Sequence, residues 1–142
     1  MGKSANGQGR PAKAAWKRAQ GVAAVLLFLG SAAAAVAAAR PAAEQKRIDW
    51  LIEEVRNSKG VFIRNGGEYP AAKAVSHLKF KLLMAGKRVQ TAKDFIEGVA
   101  SHSEESGKPY QIRLPGGTAR PMKDWLDERL AEYEKGAAAR KS

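Results

Sequence analysis

The sequence contains no cysteine and only two histidines, His77 and His102. Without cysteine the chain can form no disulfide and no thiolate metal site, so packing alone must stabilise its folded part. The histidines do not form an H-x-x-x-H pair, and neither follows a glutamate at the E-x-x-H spacing. Because zinc sites are usually built from these residue types and spacings, we predict neither a metal centre nor a cofactor.

The motifs of several large enzyme classes are missing as well. There is no Walker loop and no G-x-S-x-G nucleophile elbow. The Gly-containing turn at residues 115–117 is too short for a dinucleotide fingerprint. The sequence therefore disfavours nucleotide hydrolysis, dinucleotide-dependent redox chemistry and α/β-hydrolase catalysis.

Basic residues outnumber acidic ones by 25 to 14, which gives a net charge of +11. Five of the basic residues and none of the acidic ones lie in residues 1–39, so residues 40–142 carry a net charge of only +6. This remaining charge is scattered along the chain. We therefore expect no nucleic-acid partner, and an anionic component of the cell envelope is the better electrostatic match.

Residues 1–39 have the order of a secretory signal peptide. A basic stretch runs to Gln20, an apolar run covers residues 21–39, and A-x-A patterns end at Ala37 and Ala39. We predict cleavage there and export to the periplasm by the general secretory route. The alternative is an uncleaved membrane anchor, since 19 residues can span a hydrocarbon core of ~30 Å. The run is rich in alanine and has only seven larger apolar side chains, which favours cleavage.

The remaining chain is predicted to fold as one mainly helical α+β domain over residues 40–135, followed by a flexible tail at 136–142. Apolar periodicity and helix-end signals predict about four helices and two short strands that could pair. The helices are expected at residues 41–58, 70–85, 91–99 and 121–135, and the strands near 61–64 and 110–114.

Two features of these helices carry further expectations. The 70–85 helix has two stripes, one through Leu78 and one through His77, Phe80, Lys81 and Met84, so we expect it to pack against neighbours on both sides. Gly60 and Gly86 are predicted to end their helices, because glycine tolerates a positive φ.

The densest polar chemistry lies in RNGGEYP (64–70) and SHLKFK (76–81). His77 and Lys81 are one helical turn apart and can converge on one anion. We predict a small polar ligand site from these residues together with the loop and strand side chains Arg64, Asn65, Tyr69 and Tyr110. The competing interpretation is structural: His77 fixes the 64–69 loop by hydrogen bonds, and Lys81 is solvated.

An enzymatic role is the alternative to binding. In that case His77 acts as a general base, with the hydroxyl of Tyr69, Tyr110 or Ser101 as its partner. Such chemistry needs an accessible His77 in a concave pocket, about 3 Å from a reacting group.

Four motifs, taken in order, resemble a known family. They are F-x-R-N-G from Phe62, A-V-S-H-L-x-x-K-L from Ala74, T-A-x-x-F-I-x-x-V-A-S from Thr91, and S/T-G-K-P-Y from Ser106. Together they resemble the YfeK-like family of small exported bacterial proteins, a domain of unknown function. The resemblance runs from about residue 48 to residue 130. It implies export to the periplasm, and it supplies no activity, substrate or catalytic residue.

Only motif positions can be carried over from this resemblance: Arg64, Asn65, Gly66, His77, Lys81, Ser101, Gly107 and Tyr110. The chain departs from the family in its long basic leader and in its acid- and alanine-rich C-terminal helix and tail.

These observations predict an exported envelope protein that binds an envelope protein or an anionic envelope component. A small periplasmic hydrolase is one alternative. The other is a structural module tethered to the membrane by residues 21–39. If these residues are cleaved instead, they contact the membrane only during export.

Overall fold

The computed structural model describes residues 39–141. This range contains four α-helices, four β-strands and a short 3₁₀ turn at Gly86–Arg88. The order is α1 (Ala42–Asn57), β1 (Val61–Arg64), β2 (Gly67–Pro70), α2 (Ala71–Ala85), α3 (Ala92–Gly98), β3 (Gln111–Arg113), β4 (Ala119–Pro121) and α4 (Met122–Ala139).

The predicted class, a mainly helical α+β domain with four helices, is confirmed. The predicted number of strands is wrong, because β1 and β3 are joined by β2 and β4 in one four-stranded sheet. Both additional strands are three or four residues long and end in proline. Proline lacks an N–H and is therefore confined to sheet edges or strand ends, where it weakens a strand signal in the sequence.

All neighbouring strands of the sheet are antiparallel, in the order β2-β1-β3-β4. The predicted pairing of the two central strands is confirmed, with Phe62 directly opposite Ile112. On its other side Phe62 is opposite Tyr69. Directly opposed residues share a face of the sheet, so these three side chains lie together on one face.

The connection between β1 and β2 is a two-residue hairpin. Asn65 and Gly66 both have a positive φ, of 51° and 81°. This is the requirement of a type I′ turn, whose twist matches that of paired strands. The hairpin brings β2 back along β1, so Arg64 is opposite Gly67 and Tyr69 joins the sheet.

The core lies between the sheet and the helices. The largest side chains in it that are fully buried are Phe95, Ile48, Leu51, Leu78, Ile96, Ile112 and Leu126. Each of the four helices contributes at least one of them, and β3 contributes Ile112. One continuous apolar cluster therefore stabilises the domain without any crosslink.

Helix α2 differs from the prediction on one side. Its first stripe packs into the core through Val75 and Leu78. On the other side Phe80 is 60% exposed and Met84 is 64% exposed. The expectation of neighbours on both sides therefore holds for only part of the second stripe, because His77 and Lys81 contact Tyr110 while Phe80 and Met84 stay uncovered. Periodicity reveals an apolar stripe but not how much of it another element covers.

The helix ends follow local chemistry. Thr91 and Asp94 form the predicted capping box, with Asp94 N donating to Thr91 Oγ1 (3.0 Å) and Thr91 N donating to the Asp94 carboxylate (2.9 Å). Gly86 has a positive φ at the end of α2, as predicted. After α1, however, Lys59 takes the positive φ, and Gly60 is closely packed: a Cβ there would lie 3.1 Å from the Ile112 side chain.

The predicted signal peptide lies outside the described residues except for Ala39, so cleavage, anchoring by residues 21–39 and export stay predictions. At the other end α4 runs through Gly136 to Ala139, so part of the predicted 136–142 tail is helical. Among the helices of residues 39–141, none has the length and hydropathy of a membrane span.

Candidate functional site

Tyr110 is the centre of the candidate site. It immediately precedes β3, and its side chain is buried. Its backbone holds it between two segments, since Tyr110 N donates to Ser101 O and its carbonyl accepts from Met122 N, both at 2.9 Å. The phenol is therefore positioned by backbone bonds on each side.

Helix α2 places two side chains against this phenol from successive turns. His77 Nε2 lies 3.1 Å from the Tyr110 hydroxyl, and the two rings meet edge to face. Lys81 Nζ donates to the carbonyl of His102 at 3.0 Å and lies 3.5 Å from the same hydroxyl. It also lies 5.1 Å from the centre of the Tyr110 ring, a cation–π distance. The i, i+4 spacing of the sequence thus produces convergence, on a tyrosine rather than on the 64–69 loop.

Arg64 is the third cationic side chain of the site and comes from β1. Its guanidinium lies 3.8 Å from the carboxylate of Glu105, whose side chain is 79% exposed. The Nε atom of Arg64 is buried and has no hydrogen-bond partner within residues 39–141. Arg64 therefore retains donor capacity. We call Arg64, His77, Lys81 and Tyr110 the Tyr110 cluster.

The pKa values in the Tyr110 cluster reflect partial burial and mutual repulsion. The pKa of His77 is lowered, first by desolvation and then by the charges of Arg64 and Lys81. Desolvation also lowers the pKa of Lys81; Glu104 opposes this shift and Arg64 adds to it. Desolvation raises the pKa of Tyr110, so its phenol stays protonated. The cluster thus combines a neutral imidazole with two cations.

A groove of about 400 Å³ opens beside the cluster, between α2 and the sheet. We call it the α2 groove. Most of its lining is apolar. Its side chains are Phe62, Ile63, Tyr69, Ala74, Leu78, Phe80 and Met122, with Arg64, Lys73, Ser76, His77, Tyr110 and Gln111 as the polar members. The lining includes two cations and no carboxylate, so an anion is its electrostatic complement.

Asn65, a predicted site residue, and Ser101, a predicted hydroxyl partner of a His77 base, lie away from the groove. Asn65 is in the hairpin turn, where its side chain bonds to Ser103 and Ser106 and so ties the turn to the 101–107 loop. Ser101 donates to the carbonyl of Glu97 and lies 2.7 Å from Nδ1 of His102. Neither side chain contacts His77, so the pairing of Ser101 with a His77 base is not formed.

The residues that line the groove but were not predicted as site residues include Lys73, Phe80 and Met122. Lys73 precedes His77 by four residues, and this spacing could have placed both on one helical face. Met122 follows a strand that was not predicted, so no sequence signal connected it to the site. Among residues 39–141, no group of three His, Asp or Glu side chains is arranged to hold a metal ion.

The fold and the site define a small α+β domain in which one helix and an antiparallel sheet enclose an apolar groove with a cationic side. Residues 42–134 match a family of unknown function (DUF5329). This segment is well over half of the chain, and the protein belongs to that family.

A curated relative agrees with this assignment. The chain is 41% identical, over 68 residues, to the uncharacterized protein YfeK of Salmonella typhimurium strain LT2. The matched segment covers 47% of this chain and 57% of the relative. The resemblance to YfeK-like proteins is therefore confirmed, and it extends over little more than half of the relative's length. No solved structure matches the chain.

Proposed function

We propose that the protein is an exported cell-envelope protein that binds an anionic ligand through Arg64 and His77, with Lys81 and Tyr110 behind them. The observation that supports this most strongly is the excess of positive charge around Tyr110. After desolvation, Arg64 and Lys81 both lower the pKa of His77. The carboxylate paired with Arg64, that of the exposed Glu105, is 3.8 Å away, which is beyond hydrogen-bond distance. A bound anion would relieve this repulsion and use the free Arg64 Nε.

The ligand is an anionic envelope component or an anionic group of an envelope protein. Inorganic phosphate is the simplest probe of this chemistry. We expect weak, millimolar binding that decreases with ionic strength, because a single exposed anion gains little in water. NMR titration of the His77 ring and of the amides near Tyr110 measures it.

Matched arginine variants test the assignment. Arg64→Gln should weaken phosphate binding by about tenfold or more, since charge-assisted hydrogen bonds each contribute ~1.5–3 kcal/mol. Arg113 is the control: it lies in the same sheet with similar exposure, but its guanidinium makes two bonds to Glu68, at 2.8 and 2.9 Å. Equal losses in Arg64→Gln and Arg113→Gln would show that phosphate binds the surface nonspecifically.

Export is supported by the basic, apolar and small-residue order of residues 1–39. Cell fractionation with mass spectrometry of the N-terminus tests it. We expect a periplasmic protein that begins after Ala37 or Ala39. Intact protein in the membrane fraction would favour the tethered alternative, and the full-length polypeptide free in the cytosol would contradict export.

A small hydrolase is the second candidate, favoured by one observation: a partly exposed His77 lies 3.1 Å from a hydroxyl and lines a groove. The direction of the Tyr110 pKa argues against this candidate, since burial raises it and a nucleophile needs the opposite shift. Hydrolysis of an ester by the wild type that is lost in both His77→Gln and Tyr110→Phe would favour the enzyme over the binding protein.

A further inference from the structure

We propose that the α2 groove binds a single-chain amphiphile, with its apolar chain between α2 and the sheet and its anionic head group at Arg64 and His77. This inference rests on the proposed function and adds the chemical class of the ligand. The site so defined is larger than the Tyr110 cluster, because it includes the apolar lining that the cluster does not need for anion binding.

The apolar part of the argument starts from Phe80. Its side chain is 60% exposed, although it belongs to the lining of a concave groove. Tyr69, which is 38% exposed, is another wall residue, and Leu78 and Phe62 line the groove from the buried side. Covering the exposed apolar surface of a groove with an apolar chain is favourable, because it removes that surface from water. The geometry thus favours a ligand with a substantial apolar part.

Charge selects among apolar ligands. Arg64, Lys73 and His77 are on the groove lining, which contains no Asp or Glu. An uncharged hydrocarbon would leave the Arg64 Nε without a partner, and a cationic amphiphile would be repelled. An anionic head group matches both observations.

The volume of the groove sets the length of the chain. About 400 Å³ is near the lower end of the range for small-molecule pockets, roughly 300–1,000 Å³. A water molecule takes up ~30 Å³ in the liquid, and a methylene group is of similar size. With part of this volume taken by the head group at Arg64 and His77, about 12 carbons is the upper limit for a chain that fits in the groove.

A chain-length series tests this occupant directly. Linear alkyl sulfonates from methanesulfonate to tetradecanesulfonate keep a constant charge, and calorimetry below the micelle concentration measures their binding to the protein as recovered from cells. We expect the affinity to rise up to about fourfold per buried methylene and to level off near 12 carbons. An affinity that is independent of chain length would overturn the amphiphile, as would one that rises without levelling off.

Two exposed side chains of α2 provide a matched pair of variants. Phe80→Ser should weaken dodecanesulfonate binding by at least tenfold and leave methanesulfonate unchanged. Leu83→Ser is the control, because Leu83 is 77% exposed on the same helix and does not line the α2 groove. Both variants alter exposed positions, so both should fold. Equal losses in the two variants would overturn the groove as the site.

The head group is identified by two further probes. Dodecanoate represents a free fatty acid and lysophosphatidylglycerol a phosphodiester lipid; stronger binding of either supports the proposal and names the source. Binding only to phosphatidylglycerol vesicles would overturn it in favour of a membrane surface. A dimer that Phe80→Ser dissociates would overturn it in favour of a second copy of the chain.

The two proposals can fail separately. If phosphate and methanesulfonate bind through Arg64 but longer chains add nothing, the anion site stands and the amphiphile is wrong. If dodecyl maltoside binds as tightly as dodecanesulfonate, the groove is apolar only and the anion site is wrong.

Discussion

Helices α2 and α4 have similar lengths but differ in how far their apolar side chains are buried and in whether their cationic side chains are paired with carboxylates. In α4 the apolar residues Met122, Trp125 and Leu126 are buried. Two of the cationic groups there have carboxylate partners: Lys123 lies 2.6 Å from Asp127, and Arg129 lies 2.7 Å from Glu132. In α2 the apolar side chains of Phe80, Leu83 and Met84 are exposed, and Lys81 bonds to the neutral His102 carbonyl and Tyr110 hydroxyl.

We therefore expect α4 to contribute mainly to the stability of the fold and α2 mainly to the proposed ligand binding. Burial and charge pairing on α4 lower the free energy of the folded chain. Exposed apolar side chains beside unpaired cations on α2 contribute little to folding, and they are the features that a ligand can use. The contrast can be tested one helix at a time.

The largest effect should come from two leucines. Leu126→Ala in α4 removes a fully buried side chain and should cost about 2–5 kcal/mol of unfolding free energy. Leu83→Ala in α2 should change it by less than ~0.5 kcal/mol, since Leu83 is mostly exposed. Urea unfolding measures both. A cost above 1 kcal/mol for Leu83→Ala would show that this side of α2 is packed.

A smaller effect concerns pH. The pKa of His77 lies below its ordinary 6.5 in the folded protein. As the pH falls below 6.5, His77 is therefore protonated in the unfolded chain before it is protonated in the folded protein. The stability that His77 contributes above pH 6.5 is thus lost as the pH falls from 6.5 to its lower pKa in the folded protein. The unfolding free energy of the wild type should thus fall between pH 7 and 5 more steeply than that of His77→Gln. His102→Gln is the control and should keep the wild-type contribution of His77. Identical slopes for the wild type and His77→Gln would contradict a lowered pKa of His77 in the folded protein.

The smallest expected effect is the change in the pKa of His77 when one nearby cation is removed. Arg64→Gln and Lys81→Gln should each raise the pKa of His77, because each deletes a positive charge that lowers it. Arg113→Gln should leave it unchanged, since Glu68 neutralises that guanidinium. NMR titration of the His77 ring gives the three values. A lower His77 pKa in Arg64→Gln would contradict the assigned electrostatics.

The helices of this fold could be predicted from the sequence because each has a long apolar stripe and clear end signals, such as the capping box of Thr91 and Asp94. Strand β2 could not, although Asn65-Gly66 is a strong hairpin signal. Gly67 and Pro70 leave only two ordinary residues between them, too few for an alternation pattern. Strand β4 was missed for a similar reason, because it is three residues long and ends in Pro121.

The candidate site was predicted in part. Spacing along α2 placed His77 near Lys81, and both do meet Tyr110, which had been assigned to a strand. The groove could not be predicted, because it depends on how α2 crosses the sheet and on one apolar stripe staying uncovered. Asn65 lies in a motif beside Arg64, yet the turn directs its side chain to the serine loop.

The pKa of His77 with and without bound dodecanesulfonate tests the central claim most directly. A sulfonate near Arg64 and His77 adds a negative charge that does not titrate in this range, so the pKa of His77 should rise on binding, with uptake of protons at pH values near it. Methanesulfonate at saturation should raise it in the same direction. An unchanged or lower His77 pKa in the saturated complex would contradict an anionic ligand at this face of α2.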